Sequence, residues 1–296
     1  MVKTEFSIKD LENLSNVKAH TIRIWEKRYN LLTPDRTDTN IRKYDLESLK
    51  KLLNITFLYR SGHKISRIAE MDSTTIKELI KQNIDTSNTH YALDIFKTVM
   101  LEFDDERFDA TLRKLLESKT FSEVFLKVFV PLLAETGTLW HSGTIDPSHE
   151  HFISEKIKQA IIYQSEKLKE SNRKPSNKTF ALFLPLEEVH EIGLLYANYE
   201  LLRKGYNTLY LGPNIPIESL RHVKSQKPDI IFLTYFTVQP EIENISSYIQ
   251  SFQNSVNQNK TTKLWILGNR VSHISSHKNV KTFKKIEAFL TELKNI

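Results

Sequence analysis

Apolar positions in the first seventy residues recur every three or four residues, the period of helices with one buried face. Phe6-Ser-Ile-Lys-Asp-Leu-Glu-Asn-Leu14 opens the series, with Ser7 placed to cap its first turn. A turn at Ser15-Asn16-Val17 leads into Lys18 to Tyr29, where Ile22 and Trp25 share one face and Lys18, Thr21, Arg23 and Lys27 occupy others. Two helices joined by a tight turn, the second one basic, make a helix-turn-helix pattern. Leu31 to Tyr44 fits a small hairpin carrying Arg36, Arg42 and Lys43, and a helix from Asp45 runs to Arg60 before Ser61-Gly62-His63-Lys64 breaks it. A short helix then reaches Met71. From Ser73 to about Glu170 the pattern stays helical, and candidate helices at 74–86, 89–103, 105–117, 122–140 and 147–170 suit a bundle. After a polar linker at 173–178 the pattern changes. Short apolar strands at 179–186, 208–211, 229–235, 263–267 and 280–283 alternate with helices, which predicts a doubly wound parallel sheet. Right-handed crossovers put the loops after Leu186, Leu211, Tyr235 and Leu267 along one edge.

Composition narrows the chemistry. The 296 residues include no cysteine, which excludes disulfides, thiolate zinc sites and cysteine nucleophiles. No run of about 18 apolar residues is present to cross a membrane, and the first residues lack the apolar core of a signal peptide, so a cytoplasmic protein is expected. The formal net charge is +6, and residues 1–70 hold 14 basic against 9 acidic side chains. That excess reads either as a solvated face or as a nucleic-acid footprint.

Two stretches carry candidate chemistry. In Phe180-Ala-Leu-Phe-Leu-Pro-Leu-Glu-Glu188-Val-His190-Glu-Ile-Gly193 a strand stops and a helix follows, so His190 falls in a loop at the carboxyl edge, where open sheets bind ligands. Imidazole there ligates a metal or moves a proton, with a carboxylate such as Glu188 on its second nitrogen. The plainer reading is a helix-start histidine bonded to backbone. The second stretch is Leu139-Trp140-His141-Ser-Gly-Thr-Ile-Asp146-Pro147-Ser-His149-Glu150-His151. Asp146 as N-cap and Pro147 as first helical residue place Glu150 and His151 in the opening turns of a helix, with Trp140 and His141 ending the one before. The alternative makes Trp140 ordinary core and His141, His149 and His151 ordinary surface.

Three resemblances tie these stretches together. Thr21-Ile-Arg23-Ile-Trp25-Glu-Lys-Arg28-Tyr29, Leu31-Leu32-x-Pro34-x-Arg36, Arg42-Lys-Tyr44 and the Gly62 break resemble the MerR-type winged-helix domain, with Asn30 where that family often has glycine. The resemblance implies that the second helix enters the major groove of double-stranded operator DNA and the wing follows the backbone. Arg23 is then the first choice for a base contact, with Lys18 and Thr21 beside it on the same helix, and Arg28, Arg36, Arg42 and Lys43 on phosphates. Trp25 and Tyr44 are expected in the core. Glu188-x-His190-x-x-Gly193 resembles the signature of cobalamin-binding domains, in which the histidine is the lower ligand to cobalt. Trp140, nine residues, then Glu150-His151 is similar to the Trp-x9-Glu-His signature of the CarH/LitR type of adenosylcobalamin-dependent photoreceptor repressors. That likeness implies that Trp140 and Glu150 cover the adenosyl face and that His141 becomes an upper cobalt ligand after photolysis. Cobalamin domains also bury the cofactor's nucleotide tail beside the sheet; here Thr234-Tyr-Phe236 and Gly268-Asn269 stand for the expected Ser-x-Leu and Gly-Gly, with bulkier side chains at 236 and 269.

The expected fold is therefore multidomain α and α/β: a winged helix-turn-helix over 1–72, a helical bundle over 73–172 and a Rossmann-like, flavodoxin-like parallel sheet over 173–296. The expected function is transcriptional repression controlled by adenosylcobalamin, or another cobalamin, and by light. It implies a homo-oligomer, dimer or tetramer, that competes with RNA polymerase at a promoter, and no membrane or catalytic role. The rivals are a regulator whose sensor has lost the cofactor and works by protein contacts, and a cobalamin carrier subunit for methyl transfer.

Overall fold

The computed structural model describes residues 5–82, 89–170, 176–257, 261–274 and 277–294. The chain divides into two compact units, Met1–Lys156 and Ile157–Ile296. The first half of the linker expected at 173–178, and the boundary expected before it, lie outside the described residues.

The first unit opens with α1 (Ile8–Ser15) and α2 (Ala19–Tyr29). Ser7 and Asp10 cap α1 reciprocally, the Asp10 amide donating to Ser7 Oγ at 3.2 Å and the Ser7 amide to Asp10 Oδ2 at 2.8 Å. Both helices stop at an asparagine in the left-handed region, Asn16 at φ 56° and Asn30 at φ 47°. Lys18 gives α2 no side-chain cap; instead Glu12 of α1 accepts from the Ala19 amide at 3.2 Å. Strands β1 (Asp35–Arg36) and β2 (Arg42–Lys43) pair antiparallel as the wing, and Phe6 and Tyr44 exchange backbone bonds at 2.8 and 2.9 Å. Asp45 caps α3 (Leu46–Arg60), and α4 (Ile65–Ala69) follows the Gly62 turn. Trp25 and Tyr44 are core, as expected.

The remaining helices of this unit are α5 (Ser73–Gln82), α6 (Thr89–Glu102), α7 (Asp105–Leu116), α8 (Phe121–Val124), α9 (Val130–His141) and the start of α10 (Pro147–Glu170). The single helix expected over 122–140 is interrupted by a π-turn at Phe125–Phe129. Its cause is Pro131, which offers no N–H to the Lys127 carbonyl and whose ring crowds it, so the preceding turn widens. Phe125 and Phe129 are both buried there.

The second unit contains the rest of α10, then β3 (Thr179–Phe183), α11 (Ile192–Arg203), β4 (Asn207–Gly212), α12 (Leu220–Gln226), β5 (Ile231–Tyr235), α13 (Ile245–Ser255), β6 (Lys263–Leu267), β7 (Val280–Phe283) and α14 (Ile286–Glu292). The five strands are all parallel in the order β4-β3-β5-β6-β7, the flavodoxin-like arrangement. Alternation along each strand separates two cores. Phe180, Leu182, Leu233 and Trp265 face Leu194 of α11 and Phe289 of α14; Ala181, Phe183, Phe232 and Ile266 face Leu220 of α12 and Phe252 of α13. The first strand ends at Phe183 rather than Leu186, because Pro185 supplies no ladder donor and Glu187 turns the chain at φ 64°.

Candidate functional site

His190 lies in the loop between β3 and α11, with its side chain 54% exposed while that of Glu188 is fully buried. Glu188 Oε1 accepts from the His190 amide at 3.0 Å and from His190 Nδ1 at 2.6 Å. Its other oxygen accepts from the backbone amides of Thr237, Val238 and Gln239 at 3.1, 2.7 and 2.8 Å. Those amides leave the end of β5, the strand beside β3. Burial pushes the Glu188 carboxyl up, but the amides of Gln239, His190 and Val238 outweigh it and hold the group below the usual carboxylate range. A carboxylate only accepts, so Nδ1 carries the proton and the Nε2 lone pair is left for a ligand. The same two loops expose Leu186, Val189 and Val238, an apolar surround for a flat ring. Beside them Glu191 accepts from Tyr210 Oη at 3.2 Å and pairs with Lys158 of α10 at 3.2 Å.

Among the described residues no group of three or more His, Asp or Glu gathers as a cage for a free metal ion. A single oriented imidazole suits a metal most of whose ligands come from a macrocycle, as in cobalamin. On that donor chemistry His190 and Glu188 fit the group.

The residues expected around the cofactor's tail lie at the carboxyl ends of β5 and β6. Strand alternation puts Thr234 on the α12/α13 face with Phe232 and Phe236, where its Oγ1 is buried without a partner. The α11 face at the end of β5 belongs to Leu233 and Tyr235. A Cβ on Gly193 would lie 2.6 Å from Tyr235 Cε2, so this glycine makes room for the tyrosine ring. Gly268, at φ 120°, has the Phe236 carbonyl oxygen pressed against the place where a Cβ would stand, so backbone packing alone requires it.

In the first unit, Trp140 is 46% exposed at the end of α9, not core, and its ring lies 5.1 Å from that of the exposed His141. Glu150 accepts from Ser154 Oγ at 2.7 Å and pairs with the exposed His151 at 2.8 Å. His149, which the alternative reading put at the surface, is 1% exposed and stacks on Phe103 at 4.7 Å. Its Nδ1 accepts the Asp146 amide at 3.2 Å, and burial lowers its pKa. The loop between α9 and α10 is tied to the winged helix, since Asn13 Nδ2 donates to buried Thr144 Oγ1 at 3.0 Å. No sequence signal marks that bond.

On the winged helix Lys18, Arg23, Arg28, Arg36 and Lys43 are exposed and Thr21 is half-buried. Arg42 differs from the other basic wing residues. Its Nε bonds Glu26 at 3.1 Å, and Glu26 also accepts from the Tyr44 hydroxyl, so Arg42 fixes the wing to α2. Glu26 lies inside the matched Trp25-Glu-Lys run, where no role was expected of it. Lys43 pairs with Glu5 at the surface, and Arg36 bonds Asn40.

Residues 6–75 match the family described as MerR HTH family regulatory protein, and residues 93–163 match the family described as B12 binding domain. The chain is 28% identical over 245 residues to the HTH-type transcriptional repressor CarH of Myxococcus xanthus, covering 79% of this chain and 80% of that one. It is 22% identical over 238 residues to the HTH-type transcriptional repressor CarA of the same organism, covering 77% of this chain and 75% of that one. Among solved structures, the Methanosarcina barkeri monomethylamine corrinoid protein aligns with a TM-score of 0.54 at 13% identity, over 71% of this chain and all of that one, a likeness of fold. Among the described residues no helix is long and apolar enough to cross a membrane. The MerR-type match over the winged helix, the B12-binding match over the bundle and the similarity to CarH over most of the chain support a cobalamin-sensing, DNA-binding regulator.

Proposed function

We propose that this regulator is a cytoplasmic repressor that binds operator DNA as a homo-oligomer when loaded with adenosylcobalamin in the dark, and releases it in light. The observation that carries the reading is the His190–Glu188 pair, an exposed imidazole whose tautomer is set by a buried, amide-held carboxylate. Bound adenosylcobalamin would supply a light-labile cobalt–carbon bond. His190 would hold the cobalt through Nε2, and Glu188 keeps the ring from turning. Trp140 and Glu150 would face the adenosyl group, and His141 would be available as a cobalt ligand once that group has left. Gly193, Thr234 and Gly268 act by shaping the end of the sheet. The working parts are a DNA-reading winged helix over 1–72, a bundle over 73–172 that senses the upper face, and a cobalamin-holding sheet over 173–296.

On DNA, Arg23 reads base edges with Lys18 and Thr21 beside it, and Arg28, Arg36, Arg42 and Lys43 meet phosphates or hold the wing that does. Occupying a promoter this way excludes RNA polymerase. A dimer or tetramer supplies the two-state element that a ligand change biases. The second reading, a regulator that works by protein contacts alone, draws on the aromatic side chains that fill the end of β5.

Dark reconstitution of the full chain with adenosylcobalamin tests the proposal, with absorbance, gel filtration and operator binding read before and after illumination. A bound corrinoid spectrum, a larger oligomer in the dark and loss of DNA binding in light are expected. Operator binding indifferent to both cofactor and light overturns the proposal in favour of the second reading.

A further inference from the structure

We infer that Tyr235 fills the slot beside His190 that the nucleotide arm of a complete cobalamin needs, so that the chain takes corrinoids lacking the arm at least as tightly as cobalamin itself. The inference rests on His190 as lower ligand. For Nε2 to reach cobalt, the cofactor's own base must leave the metal. That base hangs from the corrin's edge on the lower side, the side His190 meets, so the freed arm descends next to the β3–α11 loop. The nearest place for a flat heterocycle is between the end of β5 and the start of α11.

An aromatic plate already lies there. The Tyr235 ring covers Gly193 so closely that a Cβ on the glycine would stand 2.6, 2.8 and 3.0 Å from its Cε2, Cζ and Cδ2. The ring packs on the cluster that holds Leu194, Leu233 and Leu267. Two plates cannot share one close-packed layer. The opposite side of β5 is also filled: Phe236 is fully buried, with the Tyr248 ring edge-on at 5.5 Å. Thr234 Oγ1, shut into that side without a partner, is not reachable by an arm descending on the other. The arm therefore gains nothing from the sheet and remains in solvent, while the corrin is held by His190 and the apolar loops around it.

Titration of the full-length protein in the dark with aquocobalamin and with aquocobinamide, the same ring without the nucleotide, tests this by absorbance. In the wild type, cobinamide should bind at least as tightly as cobalamin. Tyr235→Ala should tighten cobalamin by about tenfold and leave cobinamide within about twofold. Tyr235→Phe, which keeps the plate, should behave as wild type. Wild-type protein that prefers cobalamin by about tenfold overturns the inference, as does a folded Tyr235→Ala protein with no gain for cobalamin. If Tyr235→Ala does not fold, Tyr235→Leu is read in its place and the wild-type comparison still decides. If neither corrinoid changes the spectrum on addition of wild type, and His190→Ala matches wild type, the cofactor reading fails and the inference falls with it. If both bind through His190 and only the arm preference is wrong, that reading survives.

Discussion

Asn13 of α1 donates to Thr144 across 3.0 Å and 131 residues of sequence, joining the helix-turn-helix pair to the loop that follows Trp140 and His141. Thr144 is fully buried and also shares a 2.8 Å bond with Ser142 Oγ. Thr144→Val leaves the Asn13 amide unsatisfied and should lower unfolding free energy by about 1–2 kcal/mol. Asn13→Ala should cost less, because Ser142 still satisfies the hydroxyl. A double-mutant cycle by denaturant unfolding should return a coupling of about 1 kcal/mol. Strict additivity would mean that the bond contributes nothing.

His190 and Glu188 should fail in different ways. His190→Ala removes the nitrogen donor, so cobalamin should bind weakly or with its own base attached, visible in the absorbance spectrum. Glu188→Gln keeps the shape but turns an NH2 group toward N–H donors, and should lower affinity about 10- to 100-fold with the lower-ligand spectrum retained. A Glu188→Gln protein of wild-type affinity would show that the ring needs no orienting partner.

The same carboxylate sets an acid limit. Glu188 titrates below the ordinary glutamate value of 4.5, so its stabilisation is fully present above about pH 4.5 and is lost as pH falls through its lower folded value. His149 acts in a higher window. Its folded pKa is lowered by burial from 6.5, so below pH 6.5 the unfolded chain takes up a proton that the folded one refuses, and stability declines as pH drops. Thermal melts should fall as pH drops below 6.5 in the wild type, and the slope should flatten in His149→Gln.

The wing contains two kinds of basic residue. Lys43→Ala removes an exposed charge, so it should weaken binding to all sequences alike and reduce the salt slope by about one. Arg42→Ala should do more. It deprives Glu26 of a partner, so both operator affinity and melting temperature should drop. Arg23→Ala should cost about 1–3 kcal/mol on the operator and little on random DNA. Equal losses on both would assign Arg23 to phosphate.

Trp140 and His141 are neighbours with exposed rings that the proposed function separates. Trp140→Ala should impair dark assembly on gel filtration. His141→Ala should assemble and bind DNA in the dark, release it in light, and change only the photoproduct, from a bis-imidazole to a water-ligated spectrum. Unchanged photoproduct would turn attention to His151, which is exposed, rather than His149, which is buried and bonded to Asp146.

Features that depend on local residue chemistry are legible in the sequence itself. Ser7, Asn16, Asn30 and Asp45 mark helix ends by what their own side chains or backbones do, and the winged helix follows from them. The Rossmann-like strands follow from apolar runs. Pro131 is the signal for the π-turn, but a helical apolar pattern continues on both sides of it and hides the break. The partners of Glu188 have no residue signature, since any residue other than proline supplies an amide; only the end of β5 aims three of them at one point. Thr234 shows a different limit. Position in a strand fixes the face with a period of two, so residue type alone does not say which of the two cores a hydroxyl meets.

The loops leaving β3 and β5 bring the carboxylate and its three amides together, and β3 pairs directly with β5. Sliding β5 along β3 by one residue would move those amides about 3.3 Å, farther than the bonds to Glu188 can stretch. Nε2 of His190 is thus presented only by a sheet in native register. A ligand bound there is bound to correctly paired chains alone, and at a hundredfold excess over its dissociation constant it would add about 2.7 kcal/mol to their stability. Mispaired chains would gain none of this. Cofactor supply would then act as a filter on newly made protein, enriching the chains whose strands have found their partners and leaving the others to unfold or be degraded.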